Sequence, residues 1–198
     1  MDNTQALFFD TETTGLPVWN EPSEGPNQPH IVELAAKLVD IDSREIIAEL
    51  NTIIKPDGWV IPDEVSAIHG ITTDKALADG MPEHDALNQF MTLWRQSNFR
   101  VAHNQSFDER IIRIAIKRFL TEEVADQWKA GEKQCTGLIT KPLMQMLPKN
   151  KYGYKMPKLS EAYEHYMGKP MENAHRAMSD VDACMAVYFA VLEQQKAA

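Results

Sequence analysis

Apolar and polar positions alternate with two different periods along the chain, and the change of period divides it. Ala6–Asp10 is a short apolar run that ends on a carboxylate, which predicts a buried central strand. Leu16–His30 carries Pro17, Pro22, Pro26 and Pro29 and reads as a loop. Val32, Leu34, Ala36 and Leu38 then alternate with Glu33 and Lys37, the pattern of a half-buried strand. A turn-rich Asp40–Arg44 leads to a second alternating run, Ile46–Ile54, so the two should pair as an antiparallel hairpin. Helical spacing takes over at Pro62–His69 and His84–Ser97, a short strand is expected at Arg100–His103, and helices follow at Gln105–Leu120, Leu159–Met167 and Ala177–Gln195. Strands come first and helices later, without repeat or linker. The expectation is one α/β domain over residues 1–198, built on a mixed sheet.

Composition narrows the class. Hydrophobic residues make up 43% and charged residues 25%, which excludes a disordered, collagen-like or coiled-coil chain. No apolar run reaches the length of a membrane span, and the polar start Met1-Asp2-Asn3 is unlike a secretory leader. Two cysteines, Cys135 and Cys184, do not make a disulfide framework, so the expected compartment is the reducing cytoplasm. The net charge of −9 argues against attraction to nucleic acid in bulk. A polyanion would have to be held through metal ions or a local basic patch.

Several carboxylates stand where the pattern should repel them. On a helical wheel at about 100° per residue, Gln105–Leu120 carries an apolar stripe of Phe107, Ile111, Ile112, Ile114, Ala115 and Phe119, and Asp108 falls inside it. An unpaired carboxylate facing a core costs of the order of 1–3 kcal/mol or more. Asp108 is therefore either a first-turn acid meeting the helix dipole or a ligand with a partner. Asp10 and Glu12 end an apolar strand two residues apart, on one face. They are either solvated acids at a strand end or a pair whose repulsion a divalent cation removes. His175 precedes the last helix. Asp180 and Asp182 flank Val181, the centre of that helix's apolar stripe, one on each side, and the wheel does not choose between them.

Taken in order, Phe8-Phe9-Asp10-Thr11-Glu12-Thr13-Thr14-Gly15, then His103-Asn104-Gln105-Ser106-Phe107-Asp108, then His175-Arg176-Ala177-Met178-Ser179-Asp180 resemble the three motifs of the DEDDh, DnaQ-like 3′→5′ exonucleases. Ile68-His69-Gly70-Ile71-Thr72 is similar to a further segment common in that group. The resemblance covers nearly the whole chain. It points to the histidine branch, because Arg176 stands where the other branch has tyrosine, and it favours Asp180 over Asp182.

What the resemblance implies is specific. The fold would be RNase H-like, a mixed five-stranded sheet flanked by helices. Asp10, Glu12, Asp108 and Asp180 would bind two Mg²⁺ or Mn²⁺ ions, and His175 would be the general base. Thr13 would meet the terminal nucleotide through its backbone, and His69 and Phe107 would line its pocket. The activity would be metal-dependent hydrolysis from DNA 3′ ends, releasing nucleoside 5′-monophosphates in proofreading or end-trimming. An ordinary histidine pKa near about 6.5 suits proton removal from water at neutral pH. Single-stranded DNA is the favoured partner, a polymerase a second one, and a membrane is not expected. An exoribonuclease of the same family and a non-catalytic module that binds nucleic acid or a polymerase are the alternatives. The full set of acids with the histidine argues against the second.

The remaining features carry two readings each. Between Lys141 and Lys158 there are five lysines (Lys141, Lys149, Lys151, Lys155, Lys158) and no acid, with Tyr152 and Tyr154 among them. This stretch is either a solvated loop or a strand-holding patch in which Lys149, Lys151 and Lys155 meet phosphates and Tyr152 stacks on a base. Trp19 either stacks on a base or covers the edge of the core. Cys135 stands in a Cys-Thr pair where the family often has Asp-Thr, and it is expected to be a packed thiol. His30, His84, His103 and His165 are expected to be structural or solvated.

Overall fold

A computed structural model of the chain describes residues 4–149, 151–172 and 174–197. The N-terminal half holds β1 (Gln5–Thr13), β2 (Ile31–Asp40), β3 (Ile46–Lys55), α1 (Asp63–His69), α2 (Thr73–Asp79), β4 (Met81–Pro82) and α3 (Glu83–Trp94). The C-terminal half holds β5 (Phe99–Ala102), α4 (Ser106–Phe119), α5 (Glu122–Ala130), β6 (Lys133–Cys135), α6 (Thr136–Met144), α7 (Leu159–Met167) and α8 (Ala177–Ala197). The strands form one mixed sheet in the order β4-β3-β2-β1-β5-β6. β1, β2 and β3 pair antiparallel, and β5, β6 and β4 add in parallel. The expected hairpin is present. The sheet has six strands where five were implied, the extra one being the two-residue β4 at the edge of β3. Among the described residues no helix is long and apolar enough to cross a membrane.

The two faces of β1 take opposite fates because side chains alternate along a strand. Leu7 and Phe9 face a core made with α3, α4 and α5, in which the buried Trp128 packs against Phe9, Phe90 and Trp94. Ala6 and Phe8 face α8, against Val181, Cys184, Tyr188 and Phe189. Asp10 and Glu12 continue this second face, so the strand delivers two carboxylates to the N-terminal end of α8.

β2 is not the half-buried strand that its alternation predicts: all ten of its residues are buried. Its position beside β1 in the middle of the sheet explains this, since helices cover both faces. The polar residues on the α8 face are satisfied rather than solvated. Glu33 is bound by Arg176 and Ala177, and Lys37 pairs with Asp182.

The 14–30 segment is the expected loop, and it is held in place. The buried Gln28 side chain accepts from the Val18 N–H and donates to the carbonyls of Val18 and Pro22. Arg110 and Arg118 of α4 donate to carbonyls of Glu21, Gln28 and Pro29. Trp19 is 60% exposed, so it does not serve as a cover for the core edge. Both cysteines are free and buried.

Candidate active site

β1 pairs with β5 only through Ala6, Leu7 and Phe8. β5 ends at Ala102, the chain turns at Asn104 in a left-handed conformation, and α4 begins at Ser106. This leaves the far end of β1 open on one edge, and Asp108 fills the gap. Its Oδ1 accepts from the backbone N–H of Thr11 at 3.0 Å and from the Thr11 hydroxyl at 2.7 Å. Asp108 is thus a first-turn acid of α4, as one expectation had it, but it is 3% exposed and turned onto β1.

The N-terminal end of α8 supplies the rest. Ligand atoms of Glu12, His175 and Asp180 all lie within 4.8 Å of one another. Asp180 Oδ1 is buried and has no hydrogen-bond partner among the described residues. Asp182, one residue beyond the apolar centre of the helix, points to Lys37 instead. The geometry therefore resolves the choice that the wheel left open. Asp180 joins Glu12 and His175, whereas Asp182 holds β2 against α8.

Burial and mutual repulsion shape the electrostatics of the cluster. Asp10 is raised well above the usual carboxylate range, first by burial and then by Asp108, Asp180, Glu12 and Glu33. Burial, followed by the charges of Asp180, Glu33 and Asp108, pushes Glu12 up to about 8. Asp108 rises to about 7 through burial, although its bonds from Thr11 favour the ionised form. Asp180 rises to about 6, again through burial, with His175 pulling the other way. Converging acids with raised proton affinity and an unpartnered buried oxygen fit a hard divalent cation, which takes oxygen ligands and removes the repulsion.

The expected nucleotide-pocket residues sit around this end of the sheet. Thr13 is buried and its hydroxyl donates to the Gly15 carbonyl at 2.7 Å. Phe107 is half-buried against the α3–α4 core. His69 closes α1, where Gly70 takes a left-handed conformation. Its Nδ1 accepts from the Ile71 N–H at 3.1 Å, so the ring proton is on Nε2. That Nε2 is buried without a partner among the described residues. Burial holds the ring's pKa below the ordinary value, which keeps it a neutral donor.

Lys141 belongs to α6, and among the described residues the lysine-rich stretch beyond that helix is a loop anchored beside the sheet, where the Pro157 carbonyl accepts from His103 Nε2 at 2.9 Å. Its lysines are not equivalent. Lys155 is paired with Glu161 of α7 at 2.5 Å, and Lys141 donates to the Tyr152 carbonyl at 2.8 Å. Lys149 and Lys151 lie over the rings of Tyr154 and Tyr152, at 4.1 and 5.0 Å from the centroids. Tyr152 is 73% exposed. Among the described residues these lysines make no ion pair with the acidic cluster.

Three residues at the site escaped the sequence patterns: Thr11, Glu33 and Arg176. Glu33 stands opposite Glu12 in the β1–β2 register and is 1% exposed. The alternation hid Glu33, because a charged residue on the second face is what a half-buried strand shows.

Comparison with known proteins agrees with this geometry. The family model described as Exonuclease (RNase_T) matches residues 7–188. DNA polymerase III subunit epsilon of Treponema pallidum (strain Nichols) is 28% identical over 184 residues, covering 91% of this chain and 73% of that protein. An uncharacterized exonuclease of Escherichia phage 186 is 31% identical over 174 residues, covering 88% of this chain and 81% of that protein. Among solved structures, E. coli exonuclease I in complex with a dT13 oligonucleotide superposes with a TM-score of 0.72 at 21% identity. That match covers 96% of this chain, which spans 40% of the length of exonuclease I.

Proposed function

Because this chain belongs to the exonuclease family, we propose that it removes nucleotides one at a time from the 3′ ends of DNA, with single strands favoured, and releases nucleoside 5′-monophosphates. The observation that carries the reading is the convergence of Glu12, His175 and Asp180 within 4.8 Å, beside Asp10 and an Asp108 clamped to β1. Largely half-buried carboxylates that repel one another are costly unless a cation joins them, which favours a catalytic centre over a plain binding surface.

Asp10, Glu12, Asp108 and Asp180 are the residues that hold the divalent cations, two Mg²⁺ or Mn²⁺ ions on this reading. Such ions, when bound, offset the four carboxylate charges and stabilise negative charge on the attacking and leaving oxygens. The chain's own residues do the rest. His175 takes a proton from the attacking water at a ring nitrogen. The water oxygen adds to phosphorus, the P–O3′ bond breaks with its electron pair going to O3′, and O3′ takes a proton from solvent, so the shortened strand keeps a 3′-hydroxyl. The Nε2–H of His69 is a fixed donor for the terminal nucleotide, and the rim of Phe107 and the Thr13 backbone bound its pocket.

The preference for DNA is supported by the likeness to a DNA polymerase III epsilon subunit and to an exonuclease crystallised with dT13. The first of these also supports work alongside a polymerase. The experiment compares kcat/KM on DNA and RNA single strands of one sequence in Mg²⁺. A higher value for DNA supports the reading. A higher value for RNA makes the chain an exoribonuclease.

A further inference from the structure

His175 carries the proton-transfer role in the reading above, yet its backbone is in the left-handed region, with φ at 68°. A residue with a Cβ stays there only where its surroundings hold it. Its imidazole lies on an exposed residue, so the restraint comes through the backbone, where its own amide is bonded to the Asp180 carboxylate and the chain that follows adds a second hold. The next two residues supply it. Arg176 donates to both oxygens of a single carboxylate, from Nε at 3.1 Å and from Nη2 at 2.6 Å. The Ala177 N–H, at the start of α8, donates to the same group at 3.0 Å. That carboxylate is Glu33, buried near the start of β2 and in register with Glu12.

We infer that Glu33 and Arg176 form a latch that positions His175 over the cluster. The inference rests on the exonuclease reading of the site. Glu33 lies on the strand next to Glu12, so one rigid pair of strands fixes both the acids of β1 and the start of α8. A carboxylate at a helix N-terminus is favoured by the dipole, and a guanidinium fork adds an orientation that a point charge lacks. The latch acts on His175 through the backbone, which makes Glu33 and Arg176 positioning residues. They do not touch the reacting atoms. Arg176 also balances Glu33, which would otherwise be a fifth uncompensated acid beside Glu12.

Two measurements test the latch. The first is the backbone order parameter of the His175 amide in the metal-free protein, by ¹⁵N relaxation. It should be near about 0.85 in the wild type and should fall toward about 0.6 in Arg176→Gln. Arg176 is half exposed, but its loss leaves buried Glu33 without a counter-charge, so a dispersed amide spectrum is the check that the variant is folded, and Arg176→Lys keeps the charge if it is not. The second is steady-state hydrolysis of a single-stranded oligonucleotide. Arg176→Gln should lower kcat about tenfold or more with KM within about twofold, and Arg176→Lys, which restores charge without the fork, should recover little of it. An unchanged order parameter overturns the latch whether or not the chain is a nuclease. A raised KM at unchanged kcat overturns it too, by making Arg176 a strand contact. An inactive wild type with the expected change in order parameter would leave the latch standing and remove the exonuclease reading instead.

Discussion

Thr11 gives both its backbone N–H and its hydroxyl to Oδ1 of Asp108. The strand thereby finishes its hydrogen-bond ladder on a side chain from a helix, at the point where β5 no longer runs beside it. One oxygen of Asp108 is committed to β1, and the other remains for the cluster. Replacement by asparagine keeps the acceptor at Oδ1 and removes the charge. Asp108→Asn should therefore be folded and at least as stable as the wild type without metal, yet inactive. Thermal melts and nuclease assays on the same preparation check this, and normal cleavage would reduce Asp108 to a strand cap.

Metal and protons compete for the same acids. Asp10, Glu12, Asp108 and Asp180 all have folded-state pKa values raised above the ordinary carboxylate value, the last three to about 8, 7 and 6. The folded metal-free chain thus holds protons that the unfolded chain releases. The stability these groups contribute is complete below the unfolded carboxylate pKa near about 4 and is lost as pH rises through about 6 to 8. The melting temperature without metal should fall between about pH 5 and about pH 8, by roughly 5 °C or more. Mg²⁺ should raise it more at the upper end of that window than at the lower. An equal effect of Mg²⁺ at both ends would place metal binding elsewhere.

Asp180 and Asp182 should separate cleanly. Asp180→Asn should lose activity, while Asp182→Asn should retain it within about twofold. Because Asp182 is half exposed, the loss of its pairing with Lys37 should cost only about 1 kcal/mol or less. His175→Ala should lower kcat by about 10²–10⁴. The opposite order for the two aspartates would mean that the cluster had been assigned to the wrong side of α8.

Much of this site is legible in the sequence wherever one strong period is interrupted. Asp10 ends an apolar run and Asp108 breaks an apolar stripe, and the structure places both close enough to feel the charge of Asp180. Elements without a period were not legible. β4 and β6 are two and three residues long, and α6 contains Pro142. The pairing partner of an acid is equally hidden. Asp182 is claimed by a lysine 145 residues away, and Glu33 by residues beyond position 175, distances at which helical and strand periods say nothing. Local charge also misleads: Lys155 lies in a stretch without acids, but its partner Glu161 lies in the first turn of the next helix.

That pairing changes what the lysine loop can do. Lys149 and Lys151 are held on tyrosine rings, whereas Lys155 is committed to Glu161. If the loop holds a strand, Lys149→Ala with Lys151→Ala should flatten the log K against log salt slope by about 1.4, at about 0.7 for each phosphate left unneutralised on a single strand. Lys155→Ala should leave the slope nearly unchanged. Fluorescence-anisotropy titrations of a labelled oligonucleotide at several salt concentrations decide it. No change in the double variant would assign the loop to solvent.

The decisive measurement follows a single-stranded DNA labelled at its 5′ end, incubated with the protein in Mg²⁺, with products identified by mass. A metal-dependent 3′→5′ exonuclease should give a ladder that shortens from the 3′ end, nucleoside 5′-monophosphates as the released species, and arrest by a chelator or by Asp180→Asn. Release of the labelled 5′ terminus as the first product, or undiminished hydrolysis in excess chelator, would contradict it.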